Sequence, residues 1–188
     1  MSEPLYPLFL RLAGRSVLVV GAGALATQKI RELLQAGATI TVVAPVASAE
    51  VQAWAADRQI AWHARTFKPS DVNGRYLVVA AAADPAVHAE VCERAERQST
   101  FAVALDAPRF GSAFFGSIVD RAPLLFAISS HGQAPALTRL LRELIEHVLP
   151  NDDVVRRARA LRVRWREERM PIGARFDALV RELSHSTA

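Results

Sequence analysis

Cysteine is nearly missing from this chain: Cys92 stands alone, which excludes an internal disulfide and a thiolate cluster around zinc. Lysine is scarce too, with Lys29 and Lys68 the two examples among 23 basic residues. Nowhere does an apolar run reach the roughly 20 residues that a membrane helix needs. The opening residues, Met1 to Pro7, lack the basic start and apolar stretch of a secretion signal. The expectation from these absences is a cytoplasmic protein with no membrane partner. Also lacking is a basic run interleaved with aromatics. The arginines alternate with Asp and Glu along helical stretches, which disfavours nucleic acid as a partner. A formal charge of +4 carried nearly all by arginine suits a small polyanionic ligand instead, because a guanidinium fork binds both oxygens of a carboxylate or phosphate at once.

What is present is a chain of 188 residues, 51% apolar, enough to bury a sizeable core. Ser16–Val20 is a β-branched apolar run leading straight into glycines, the pattern of a buried parallel strand. From Ala24 to Gln35, Leu25, Ile30, Leu33 and Leu34 recur at helical spacing, and Gly37 stops the helix. Thr39–Val43 reads as the next strand, residues 48–58 as a helix, 60–63 and 76–80 as strands, 85–97 as a helix and 101–105 as a fifth strand. This alternation predicts a doubly wound α/β fold. Beyond Asp106 the pattern changes. Residues 113–119 and 124–129 read as strands joined by Asp-Arg-Ala-Pro, and Pro135 opens a helix whose apolar face comprises Leu137, Leu140, Leu141, Leu144, Ile145 and Val148. Leu149-Pro150-Asn151-Asp152 breaks that helix, and two arginine-rich helices, at about 153–168 and 174–183, complete a chain whose last residues are expected to fray.

Three places carry candidate chemistry. Gly21-Ala-Gly-Ala-Leu-Ala26 is a G-x-G-x-x-A turn between a strand and a helix, the arrangement that binds a dinucleotide diphosphate. Gly21 allows the tight turn, Gly23 lets the backbone approach the phosphates and Ala26 permits close helix packing, while the helix N-terminus supplies partial positive charge. The plainer alternative is a glycine turn that merely joins two elements. The end of the second strand, Val42 to Val46, offers neither an acid for the adenosine ribose nor an arginine for a 2′-phosphate. NAD is therefore assigned over NADP on backbone groups near Pro45 and Val46. Asp106, at the end of a parallel strand, lies on the ligand-binding edge of such a sheet, where it serves either as a base or as a turn cap before Pro108. The polar loop Ser129-Ser-His-Gly-Gln-Ala-Pro135 either caps a helix or presents His131 as a ligand or proton carrier.

With these residues in view, the chain resembles the precorrin-2 dehydrogenase and sirohydrochlorin ferrochelatase family, the dehydrogenase module of siroheme synthase. The resemblance runs in order through Pro7-Leu-Phe-Leu-Arg-Leu12, Gly21 to Lys29, Val43-Ala-Pro45, Leu105-Asp-Ala-Pro108, Gly116-Ser-Ile-Val-Asp-Arg121 and Ser129 to Glu143. It implies a homodimer that oxidises precorrin-2 to sirohydrochlorin with NAD and, in some members, inserts ferrous iron to give siroheme. It further implies Asp106 as the catalytic residue and Ala24, Leu25, Pro45 and Val46, with the glycine turn, as nucleotide contacts. Ser117, Ser130 and His131 become candidate substrate contacts, Ser130 falling on a serine that some members phosphorylate. The chain departs from the family pattern at Val103, Gly116 and His131, where asparagine, proline and glycine are usual.

The implied architecture is a Rossmann-like parallel sheet over 1–112, a mixed β/α dimerisation segment over 113–149 and a small C-terminal helical domain over 150–188. The methyltransferase domain that follows in fused siroheme synthases is not among these residues, so the expectation is that precorrin-2 arrives from another protein. A tetrapyrrole brings its own ring nitrogens to iron, so no metal cage of His or Cys is required. The competing class is an NAD(H)-sensing or tetrapyrrole-binding module without turnover.

Overall fold

The computed structural model describes residues 4–131, 133–149 and 152–184. The chain divides into two compact units, residues 1–115 and 116–188. In the first, strands β1 (Ser16–Val20), β2 (Thr39–Val43), β3 (Ala61–His63), β4 (Leu77–Ala80) and β5 (Phe101–Ala104) form one parallel sheet in the order β3-β2-β1-β4-β5. Helices α1 (Ala24–Gln35), α2 (Ala49–Ala56) and α3 (Pro85–Glu96) make three of the crossovers. This is the doubly wound order that the alternating pattern anticipates.

The strands read as unbroken apolar runs because both faces are covered, and successive side chains go to opposite layers. Val17, Val19, Ile40, Val42, Leu77 and Val79 join Ala26, Ile30 and Leu33 of α1 and Val51 of α2 in one core. Leu18, Val20, Val43, Val78 and Ala80 join Val91, Cys92 and Ala95 of α3 in the other. Full burial of side chains of this size stabilises by about 1.5–3 kcal/mol each. Cys92 is one of these buried residues, and loss of solvent pushes its thiol pKa up to about 11.

The second unit holds an antiparallel hairpin, β6 (Ser117–Arg121) and β7 (Leu124–Ile128), followed by α4 (Pro135–Val148), α5 (Asp152–Glu167) and α6 (Ile172–Ser184). Helix α4 packs on the hairpin and α5 on α6. Leu161 and Trp165 of α5 are buried, and Arg164 donates to Glu182 at 3.1 Å.

Two sequence expectations shift. The strand expected from residue 113 begins at Ser117, because the backbone before it is already committed to the first unit. The Ala113 amide donates to the Ala102 carbonyl at 2.9 Å, and the Ser112 hydroxyl accepts from the Ala102 amide. The hairpin connection is shorter than Asp-Arg-Ala-Pro: Asp120 pairs with Leu125 and Arg121 with Leu124, leaving Ala122 and Pro123 as the turn. The break expected at Pro150 and Asn151, and the fraying at the last residues, fall outside the described residues. Among the described residues no helix is long and apolar enough to cross a membrane.

One ion pair is built firmly enough to test. Asp71, in a short 3-10 helix (Pro69–Val72), accepts both arms of the Arg65 guanidinium at 2.6 and 2.8 Å and the Lys68 amide at 2.8 Å. The Arg65 hydrogen bonds, more than the charges of Arg65 and His63, hold its carboxyl below the ordinary carboxylate range. A depressed pKa contributes stability above the unfolded value, about 4, that is lost as pH falls through the folded value. Asp71→Asn is therefore expected to lower the urea midpoint at pH 7, with the gap to the parent protein closing below about pH 4. A gap that stays constant with pH contradicts this assignment.

Candidate functional site

The carboxyl ends of β1 and β4, neighbours in the sheet, mark the place where its winding reverses, which is where open α/β sheets take their ligands. Gly21 leaves β1 with φ +112°, a backbone conformation that side chains with a Cβ rarely adopt. A Cβ there would stand 2.8 Å from the Ala82 amide nitrogen and closer still to the Ala81 carbonyl. Its amide donates to the Val43 carbonyl at 2.9 Å, so the turn is fastened to β2 as well.

Gly23 is the opposite case. Its φ of −76° suits any residue, and nothing lies within 4 Å of the position its Cβ would take. The open space lies over the start of α1, a helix with no side-chain cap and no acidic residue in its first turn. The first amides of a helix have no intrahelical partner, so those of Ala24, Leu25 and Ala26 are available to an anion. Ala26 is buried against the sheet, whereas Ala24 and Leu25 are exposed. Pro45 and Val46, just past β2, are exposed too, Val46 to 79%. Tight seating at Gly21, open space at Gly23 and uncapped amides beyond together fit a dinucleotide diphosphate, with Leu25 and Val46 as apolar surface for the adenosine.

Sequence reasoning missed two further residues here. Thr27, 5% exposed, hydrogen-bonds the Gly23 carbonyl through both its amide and its hydroxyl, each at 2.9 Å. The same hydroxyl lies 2.8 Å from the Ser48 hydroxyl, while the Ser48 amide donates to the Ala22 carbonyl at 3.2 Å. The glycine turn is thereby tied to the loop that follows β2. Ser48, expected within the helix, is its N-cap, the hydroxyl accepting from the Val51 amide, and its link to Thr27 spans 21 positions and leaves no local signal.

Asp106 follows β5 with φ +60° and is exposed. The 3-10 helix after it, Pro108–Phe110, has Ala107 and not Asp106 at its N-cap. Aspartate is among the residues that adopt this left-handed region most readily, and Arg58, Ser99, His131 and Arg169 share it. Arg109, also exposed, lies with its guanidinium 4.7 Å from the centre of the Phe110 ring.

The remaining candidates belong to the second unit. Ser117 opens β6 opposite Ile128, and a Cβ on Gly116 would stand 2.8 Å from the Ile128 carbonyl, which accounts for glycine at that point. The Ser129 hydroxyl accepts from the His131 amide at 3.2 Å and the Ser130 hydroxyl from the Ala134 amide at 3.1 Å. His131 itself is exposed, with φ +56°. Thus Gly21, Gly23, Ala24, Leu25, Ala26, Pro45, Val46 and Asp106 share one edge of one sheet, whereas Ser117, Ser130 and His131 sit on the hairpin and the loop before α4. Among the described residues no three of His, Cys, Asp and Glu gather so as to hold a metal.

Residues 8–117 match the family model described as "Putative NAD(P)-binding". The chain is 46% identical over 144 residues to "Siroheme synthase 1" of Aeromonas salmonicida (strain A449), covering 77% of this chain and 31% of that protein. It is 42% identical over 146 residues to "Siroheme synthase" of Neisseria meningitidis serogroup C (strain 053442), covering 78% and 30%. This chain thus spans about a third of the length of the curated relatives it matches. Among solved structures it superposes on "SirC, precorrin-2 dehydrogenase" with a TM-score of 0.77 at 28% identity, covering 94% of this chain and 88% of that one. The resemblance read from the sequence motifs is borne out by both kinds of relative.

Gly23 offers the test. Gly23→Ser keeps a good N-cap but fills the open space and directs its hydroxyl to the free amides. Its melting temperature is expected to match or exceed the parent's, while dinucleotide affinity by titration calorimetry falls about tenfold or more, some 1.4 kcal/mol. Unchanged affinity would remove Gly23 from the site.

Proposed function

We propose that this chain, which belongs to the NAD(P)-binding family, oxidises precorrin-2 to sirohydrochlorin with NAD. The observation that carries the reading is the uncapped glycine turn sharing a sheet edge with the exposed carboxylate of Asp106. The likeness in fold to a precorrin-2 dehydrogenase over 94% of the chain supports the substrate.

Gly21, Gly23 and the amides of Ala24, Leu25 and Ala26 hold the diphosphate, and Pro45 and Val46 flank the adenosine. When bound, NAD supplies the hydride acceptor. The oxidation removes two electrons and two protons from the substrate, one hydride and one proton in all, and Asp106 takes the proton. The same carboxylate suits a second step, insertion of ferrous iron, in which ring N–H protons must leave as the metal enters. Exposed arginines such as Arg109 match the carboxylates of the tetrapyrrole. Ser117, Ser130 and His131 are the proposed substrate contacts of the second unit.

Residues 113–149 build a homodimer in this reading, and residues 150–188 form a small helical domain. Supporting the dimer, Leu137, Leu140, Leu141, Leu144 and Val148 of α4 are all exposed in the single chain, in a spacing that puts them on one helical face.

Asp106→Asn retains a side chain that tolerates the left-handed backbone but cannot accept the proton. NAD-dependent conversion of precorrin-2, followed by absorbance, is expected to slow by about 100-fold or more with NAD affinity unchanged. Full activity in the variant would remove Asp106 as the base, and binding of NAD without conversion by the parent protein would favour a sensing module. For the dimer, Leu140→Glu combined with Leu144→Glu is expected to convert a sedimenting dimer to a monomer. A parent protein that itself sediments as a monomer refutes the interface.

A further inference from the structure

The residues between β4 and α3, Ala81 to Asp84, form the wall against which Gly21 is seated, and the loop is held at three points. The Ala81 amide donates to the Val20 carbonyl at 2.8 Å, and Asp84 caps α3 by accepting from the Ala86 amide at 2.9 Å. Between them the Ala82 carbonyl lies 2.6 Å from Nε2 of His88, one turn into α3. A carbonyl only accepts, so Nε2 carries the hydrogen.

His88 is 4% exposed, and its Nδ1 is buried with no hydrogen-bond partner among the described residues. An imidazole is a poor choice for filling space between a helix and a sheet, since an orphaned buried acceptor is a net cost that leucine or valine would avoid. The contact it does make is with a loop packed directly on the glycine turn: the place of a Gly21 Cβ is already taken by backbone of Ala81 and Ala82. Nothing else in the proposed chemistry uses this side chain.

We propose that His88 is a positioning residue for the dinucleotide: through Nε2 and the Ala82 carbonyl it fixes the loop after β4, and through that loop the Gly21 turn that receives the diphosphate. The inference rests on the dehydrogenase reading only in that NAD is the ligand. It adds a residue that touches neither cofactor nor substrate and acts through one hydrogen bond to backbone packed on the Gly21 turn.

The test compares His88→Leu, which keeps the volume buried but removes the donor, with His88→Gln, whose amide nitrogen sits as far along the side chain as Nε2. Each protein is titrated with NAD by calorimetry at a temperature well below its melting midpoint, so that a folded population is measured throughout. The expected result is about a tenfold weaker NAD dissociation constant for His88→Leu, restored to within about twofold by His88→Gln, with sirohydrochlorin binding unchanged in both. A purely structural role predicts a lower melting temperature with normal NAD affinity in the folded protein, and that result overturns the proposal. So does a glutamine variant as weak as the leucine one. If the parent protein binds no NAD, the dehydrogenase reading falls and takes this inference with it. If it binds NAD but leaves precorrin-2 unoxidised, only that reading falls, and the leucine-to-parent ratio still decides for or against His88.

Discussion

The structure depends on a steric fact: at the end of β1 the backbone passes so close to the exit of β4 that only a residue without a Cβ fits. Gly21 satisfies it, with φ at +112°, and the consequence spreads outward. The chain can turn into α1 at once, the first amides of α1 come up at the carboxyl edge of the sheet, and the loops after β2 and β4 are drawn in by hydrogen bonds to the same turn. A side chain at Gly21 would have to push apart strands already locked by their ladders and by close packing on both faces.

Around that junction the polar groups are economical. Thr27 spends its hydroxyl on the Gly23 carbonyl and the Ser48 hydroxyl, and His88 spends Nε2 on Ala82. Each is nearly or fully buried, and each acts on backbone. The surface they present to a ligand is therefore made of amides, glycine and small apolar side chains, with fixed partial charge and little to reorganise. In the proposed reading the first unit offers these amides to the diphosphate, while Asp106 places a carboxylate at the same edge of the sheet.

Much of this was legible in the sequence. The five strands and three helices of the first unit could be read because unbroken β-branched runs such as Ser16–Val20 alternate with amphipathic stretches, and because Gly37 and Pro85 punctuate them. The glycine turn and Asp106 followed from where those elements end. What could not be read has a common cause in contacts distant along the chain. The link between Thr27 and Ser48, the burial of His88 under Ala82 and the capture of Ala113 by Ala102 depend on which loops meet, not on local periodicity. The two short 3-10 helices escaped for a different reason, since a single turn carries too few residues to show a repeat. The hairpin was seen but drawn too loose, because nothing local tells whether Asp120 and Arg121 pair or turn.

Cys92, buried on the inner face of α3, gives the protein a built-in reporter. A thiol reacts as its thiolate, and with a pKa near 11 in the closed state almost none is present at neutral pH, besides the lack of access. Alkylation must therefore wait for α3 to lift away, so the labelling rate of this solitary thiol is a clock for the opening of that helix. Because α3 also carries His88, the clock reads the opening of the wall behind the glycine turn.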